Sequence, residues 1–236
     1  MGLEQDGVAH AGEIEAQIAD GNGGNNYVLT LGASTAGTIN PATLVYVGRM
    51  AYHANVTAVL HFVRDVLPRI WAQHPDTKLL IVGTDPHREI RALPRRYGER
   101  VVVTGYVPDV RPYLARATVS VSPLVYAVGV QNKILQAMAM ATPVVTSGAG
   151  VTSLRVRDDE HVLVAGDAAD FARQVSRLIE NPMLRRHIGD GGRRYVEAHH
   201  DWKQIVGELQ QIYHDEIRSF RHRPMPHKSA RGQHHA

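Results

Sequence analysis

The chain has 236 residues, 44% of them hydrophobic, and 26 Lys and Arg stand against 23 Asp and Glu for a formal net charge of +3. This balance excludes nucleic acid and the membrane surface as the main partner, and sparse aromatics, at 6%, make the core aliphatic. With no cysteine there are no disulfides and no thiolate zinc sites; no apolar stretch resembles a secretory h-region or reaches the ~18–20 residues of a membrane span, so the expected location is the cytoplasm.

Residues 1–40 carry no strand–helix rhythm. Asp20 to Asn26 is a cluster of turn formers, and one short apolar run follows at Tyr27 to Leu31. The composition predicts a flexible leader rather than a domain. From residue 41 the pattern becomes regular. Leu44 to Val47 is an apolar run ending at Gly48, as in a buried strand. Asn55 is placed to cap the helix that follows, which carries Val56, Val59, Leu60, Val63, Leu67 and Ile70 at helical spacing and a kink at Pro68. Further strands are predicted at Lys78–Val82, Val101–Val103, Val119–Ser122, Val144–Thr146 and His161–Ala165. Helices lie between them, including one over 87–97 interrupted by Pro94 and a short one at Val110–Ala115.

Asp167 to Ile179 is amphipathic, and Pro182 opens a helix expected to break at Gly191-Gly192. Trp202, Ile205, Val206, Leu209, Ile212, Tyr213 and Ile217 mark a long last helix in need of an apolar surface to lie on. Residues 218–236 hold Arg218, Arg221, Arg223, Lys228 and Arg231, four histidines and no acid; they read as a disordered basic tail, with at most peripheral contact to anionic lipid. Strands alternating with helices predict an α/β, doubly wound parallel sheet over 41–217.

Ligands of open parallel sheets bind beyond the carboxyl ends of the strands. Three segments fall there: Gly48-Arg49, then Gly105-Tyr106-Val107, then Pro123 to Lys133. Arg49 offers a planar fork suited to phosphate oxygens. The amides of Val130, Gln131 and Asn132, opened by Gly129, sit at a helix start whose partial positive charge favours anions. Lys133 stands in the first turn of that helix, where a cation opposes the dipole unless an anion binds beside it. No dinucleotide fingerprint, P-loop or nucleophile elbow is present in the sequence. His199-His200-Asp201 reads as a helix junction rather than a metal site.

Gly129 to Val145, GVQNKILQAMAMATPVV, together with Val47-Gly48-Arg49, Leu80-Ile81-Val82-Gly83, Thr104 to Val110 and Arg193-Arg194-Tyr195-Val196, resembles the C-terminal domain of GT-B glycosyltransferases of the family 4 type. The likeness is to exopolysaccharide sugar transferases with the signature G-[IV]-Q-N-K-[VI]-L-E-A-M-A-M-G-x-P-V-V. It runs from about Leu44 to Tyr213. The resemblance implies a Rossmann-like domain that holds a nucleotide-diphosphate sugar; no resident cofactor is expected, and no metal, because Arg49 and Lys133 can neutralise the diphosphate. Gly48-Arg49 and the start at Gly129 to Lys133 would lie at the phosphates, Gly105 to Val107 at the base, and position 136 at the ribose.

The sequence departs from that pattern at several points. Gln136 replaces the signature glutamate, Val128 replaces its acidic partner, Ala54 replaces a lysine shortly after the Gly-Arg turn, and Ala141 replaces the glycine before Thr142-Pro143. The resemblance also implies an N-terminal, acceptor-binding domain, expected to be missing here and supplied by another chain; the last helix, which in the family crosses toward that domain, leaves an apolar stripe open to self-association. Three readings stay open: a retaining-type donor domain, a non-catalytic nucleotide-binding or interaction module, and an enzyme that modifies a nucleotide sugar.

Overall fold

Short apolar runs that stop at glycine or a small polar residue make strands covered on both faces, and the computed structural model of the protein has that architecture. It describes residues 42–127 and 129–221; the 1–40 leader, Val128 and the tail from 222 onward lie outside the described residues. These residues fall into two compact units, one ending at Glu197 and the other beginning at Ala198. In the first unit the strands are β1 (Thr43–Val47), β2 (Lys78–Val82), β3 (Val101–Gly105), β4 (Val119–Ser122), β5 (Val144–Ser147) and β6 (Leu163–Ala165). They form one all-parallel sheet in the order β3-β2-β1-β4-β5-β6. The order reverses between β1 and β4, which opens a crevice at their carboxyl ends.

The helices are α1 (His53–His61), α2 (Leu67–Gln73), α3 (Arg88–Tyr97), α4 (Arg111–Arg116), α5 (Asn132–Ala139), α6 (Gly148–Val151), α7 (Ala168–Glu180) and α8 (Pro182–His199). Alternate residues of each strand face opposite layers. Leu44 and Tyr46 pack with residues of α1, α2, α3 and α7, including Val59, Ile70, Ile90 and Phe171. Val45 and Val47 pack with residues of α4, α5 and α8, including Leu114, Ile134, Met138 and Tyr195. The second unit contains the last helix, α9 (Trp202–Arg221), which takes in residues 218–221 of the expected tail. Val206, Leu209, Ile212, Tyr213, Ile217 and Phe220 on it are exposed. No helix among the described residues is long and apolar enough to cross a membrane.

Four local expectations change. Asn55 is not a cap: α1 begins at His53 after Tyr52, and the Asn55 side chain is buried within the first turn. Pro68 leaves α2 intact because the chain widens ahead of it into a π-helical turn at Phe62–Val66, where the Leu67 amide donates to the Phe62 carbonyl. Pro94 lies inside α3 without ending it. α8 does not break at Gly191-Gly192, because both glycines are buried and press its backbone onto the chain before β6. A Cβ at Gly191 would land on the Glu160 carbonyl oxygen.

The end of α5 explains one departure from the family pattern. The Thr142 amide donates to the Ala137 carbonyl at 3.0 Å and the Ala141 amide to that of Met138 at 2.9 Å, a paired C-terminal cap whose pivot takes left-handed backbone. Ala141 is that pivot, with φ of 53°. Its Cβ costs about 1–2 kcal/mol there, so Ala141→Gly is expected to raise unfolding free energy by ~0.5–1 kcal/mol, after the flexibility glycine adds to the unfolded chain. Gly191→Ala should move stability the other way by ~1–3 kcal/mol, although alanine is the better helix former, because the methyl has no room. Denaturant unfolding of the two variants checks both signs.

Candidate functional site

The site is built where β1 and β4 end side by side. After β1 the chain turns through Gly48 and Arg49 and is bound to the next loop: the Gly48 amide donates to Val82 at 3.0 Å, and Met50 to Thr84 at 2.8 Å. Gly83 packs against the Gly48 carbonyl so closely that no Cβ fits. This rigid turn is held from behind by Asn55, whose Nδ2 donates to the Arg49 carbonyl at 2.9 Å. Asn55 Oδ1 accepts the Tyr46 hydroxyl at 2.8 Å and also the Lys133 ammonium. Lys133 Nζ donates to the Tyr46 hydroxyl oxygen at 3.1 Å and lies 4.9 Å from the ring centroid.

This network fixes the electrostatics. Both oxygens that receive the Lys133 ammonium are neutral, and among the described residues no carboxylate pairs with it. Burial therefore pulls its pKa down from 10.5 to about 8. Burial likewise pushes the Tyr46 hydroxyl well above its ordinary value, so it stays a neutral partner. Beside the ammonium, α5 starts without a side-chain cap; the N-cap residue is Gln131, reached through Gly129 in left-handed backbone at φ 67°. The first bonds back to Gln131 come from Ile134 and Leu135, so the amides of Asn132 and Lys133 have no intrahelical acceptor. A desolvated cation and the positive end of a helix thus belong to the same turn of chain, beyond the carboxyl end of β4.

The expected site residues separate into groups. Gly48 and Lys133 meet through Asn55, and Gly129, Val130, Gln131 and Asn132 flank the ammonium, with Val130 and Asn132 exposed. Arg49 joins the network through its carbonyl alone. Its guanidinium is on the surface, 3.5 Å from Asp85, a pairing of small energy. Gln136 is half-buried one helical turn beyond Asn132, and its side chain has no partner among the described residues. Gly105 ends β3 and Tyr106 and Val107 follow it, two strands from β1 and so roughly 10 Å away; the Tyr106 side chain is exposed. Ala54 is buried, and the cation next to this turn comes from Lys133 instead.

Sequence reasoning missed Tyr46 and the true role of Asn55, and it missed the bond between His53 Nδ1 and the Tyr126 hydroxyl that ties α1 to the loop before α5. The usable signal was a polar residue, Asn55, on a helix stripe otherwise made of Ala54, Ala58 and Val59. Among the described residues no three side chains form a metal site.

The family model described as Glycosyl transferases group 1 matches residues 41–181. Phosphatidyl-myo-inositol mannosyltransferase of Mycobacterium leprae is 27% identical over 175 residues, covering 72% of this chain and 46% of that protein. The solved structure of sucrose-phosphate synthase from Thermosynechococcus elongatus superposes with a TM-score of 0.62 at 28% identity, covering 76% of this chain and 46% of the other. That of Anabaena Alr3699/HepE in complex with UDP-glucose gives 0.61 at 17% identity, covering 75% and 49%, a likeness of fold. The chain spans about half the length of the curated relatives it matches.

Two variants test the electrostatics of the network. The folded-state pKa of Lys133 is lowered, so between about 8 and 10.5 the unfolded chain binds more protons and wild-type stability rises with pH relative to an uncharged variant. Lys133→Met is therefore expected to be as stable as wild type or more so at pH 7, by on the order of 1 kcal/mol, with the difference shrinking as pH passes 8. Asn55→Asp should cancel the pH effect by placing a carboxylate on the ammonium. Urea unfolding at pH 7 and pH 9.5 measures both.

Proposed function

The chain belongs to the group 1 glycosyl transferases, and on that premise we propose that its first unit is the donor-binding half of a glycosyltransferase, which seats the diphosphate of a nucleotide sugar. The observation that carries this is the ammonium of Lys133, held by neutral oxygens beside the open amides of α5. A pyrophosphate there gains an unneutralised cation, two amide donors and the helix dipole together. Arg49 exchanges its surface contact with Asp85 for a phosphate oxygen. The backbone of Gly105 to Val107 receives the base, and Gln136 the ribose hydroxyls through neutral hydrogen bonds.

The chemistry assigned to these residues is charge stabilisation. As the bond from the sugar to the diphosphate breaks, negative charge grows on the departing phosphate, and donors fixed in advance stabilise it without reorganising. The acceptor is held by a separate domain, whose closure excludes water and brings the reactants into register. A hexose donor is favoured by the relatives: one is named a mannosyltransferase and one fold neighbour is in complex with UDP-glucose. The exopolysaccharide-type acceptor follows from the family resemblance alone, and a cytoplasmic location, with at most peripheral membrane contact, is read from the sequence composition and its basic tail. Gln136 in place of the signature glutamate favours a second reading, a nucleotide-binding module that has lost transfer.

Calorimetric titration of UDP and GDP into the full chain at pH 7 tests the donor seat. One nucleotide should bind, and Lys133→Met should weaken it roughly 10–100-fold, the worth of one charged hydrogen bond. The affinity should fall as pH rises above about 8, because a bound anion favours the protonated lysine. A wild type that binds neither nucleotide removes the proposal. Binding without release of sugar from the matching nucleotide hexose, with any acceptor half supplied, selects the second reading.

A further inference from the structure

A second cationic cavity lies away from the crevice, between α2 and α7. It is an open groove of about 380 Å³, lined by Arg69 on one wall and Arg173 and Arg177 on the other. Its floor exists because α7 turns its large residues, Phe171, Val175 and Leu178, to the sheet and presents Ala172 and Ser176 to α2. Both are buried, and the Ser176 hydroxyl has no hydrogen-bond partner among the described residues, an unfavourable state for a buried donor.

The arginines are anchored from outside the cavity. Arg69 Nε donates to the Asp65 carbonyl at 3.1 Å, Arg173 to Asp170 at 2.7 Å, and Arg177 to Gln174 at 2.6 Å and Asp159 at 3.1 Å. A guanidinium has five N–H donors, so most of each remains available. The carboxylate in the lining is Glu180, 3.2 Å from His74. Asp170 and Asp159 each offset one of these arginines, so what the groove offers an anion is the set of guanidinium N–H donors that those carboxylates leave free.

We propose that this groove is a binding site for a phosphate monoester, distinct from the diphosphate seat. Planar forks match phosphate oxygens in pairs, and the volume, at the lower end of small-molecule sites, leaves room for a small organic body beyond the phosphate. The site does not depend on the donor reading, since no residue is shared between them.

The test uses the full chain carrying Lys133→Met, which silences the seat at α5, with inorganic phosphate and ribose 5-phosphate as probes. Amide NMR shifts of Ala169, Ala172 and Ser176 are followed at constant ionic strength. Saturable shifts at these residues, weakened at least tenfold by Arg173→Gln with Arg177→Gln, are expected. Tighter binding of ribose 5-phosphate identifies a phosphorylated metabolite as the ligand class, and equal binding identifies free phosphate. Arg69→Gln, which gives up a contact to the Asp65 carbonyl and a charge interaction with Asp167, should weaken both probes severalfold and serves if the double variant is unstable. Shifts that do not saturate, or that are unchanged in the arginine variants, overturn the proposal.

Discussion

An ammonium group buried against neutral oxygens is the constraint around which this domain is arranged. Lys133 would be easier to fold if a carboxylate met it, yet its partners are Asn55 and Tyr46. Neutral acceptors satisfy its hydrogen bonds and leave its charge uncancelled. The desolvation that lowers its pKa to about 8 is the same energy that an arriving anion recovers. A side chain that weakens the fold and strengthens a site is what separates functional placement from structural placement.

The sheet makes this placement possible. Because the strand order reverses between β1 and β4, the turn after β1 and the start of α5 come from segments more than 70 residues apart and still close on one point. Gly83 and Gly48 let the two neighbouring loops touch at the backbone, so the turn that carries the Arg49 carbonyl is stiff. Asn55 then reads both halves at once, holding that carbonyl with its nitrogen and the lysine with its oxygen. The edge proposed to seat a diphosphate is therefore held in place by packing.

Strand positions were legible in the sequence because each strand is a short apolar run with a sharp stop; β2 and β4 coincide with their expected bounds. Helix interiors were less legible. Gly191 and Pro94 look like breakers, but one is needed for close packing and the other is tolerated within α3. Of the candidate site, the glycines and Lys133 could be found from position and helix polarity. Tyr46 and Asn55 could not, since a buried tyrosine in a strand and an asparagine near a helix start have ordinary structural explanations, and only the tertiary fold brings them to the lysine 78 residues from Asn55. The departures at Ala54 and Ala141 acquire physical meaning the same way: the cation comes from another helix, and the missing glycine leaves a strained cap.

The most direct measurement is an NMR titration of the Lys133 side-chain ammonium, with and without saturating UDP or GDP. The account predicts a midpoint near 8 in the free protein that moves upward when a nucleotide diphosphate is bound. A midpoint at the ordinary lysine value near 10.5, or one that neither nucleotide shifts, would contradict it.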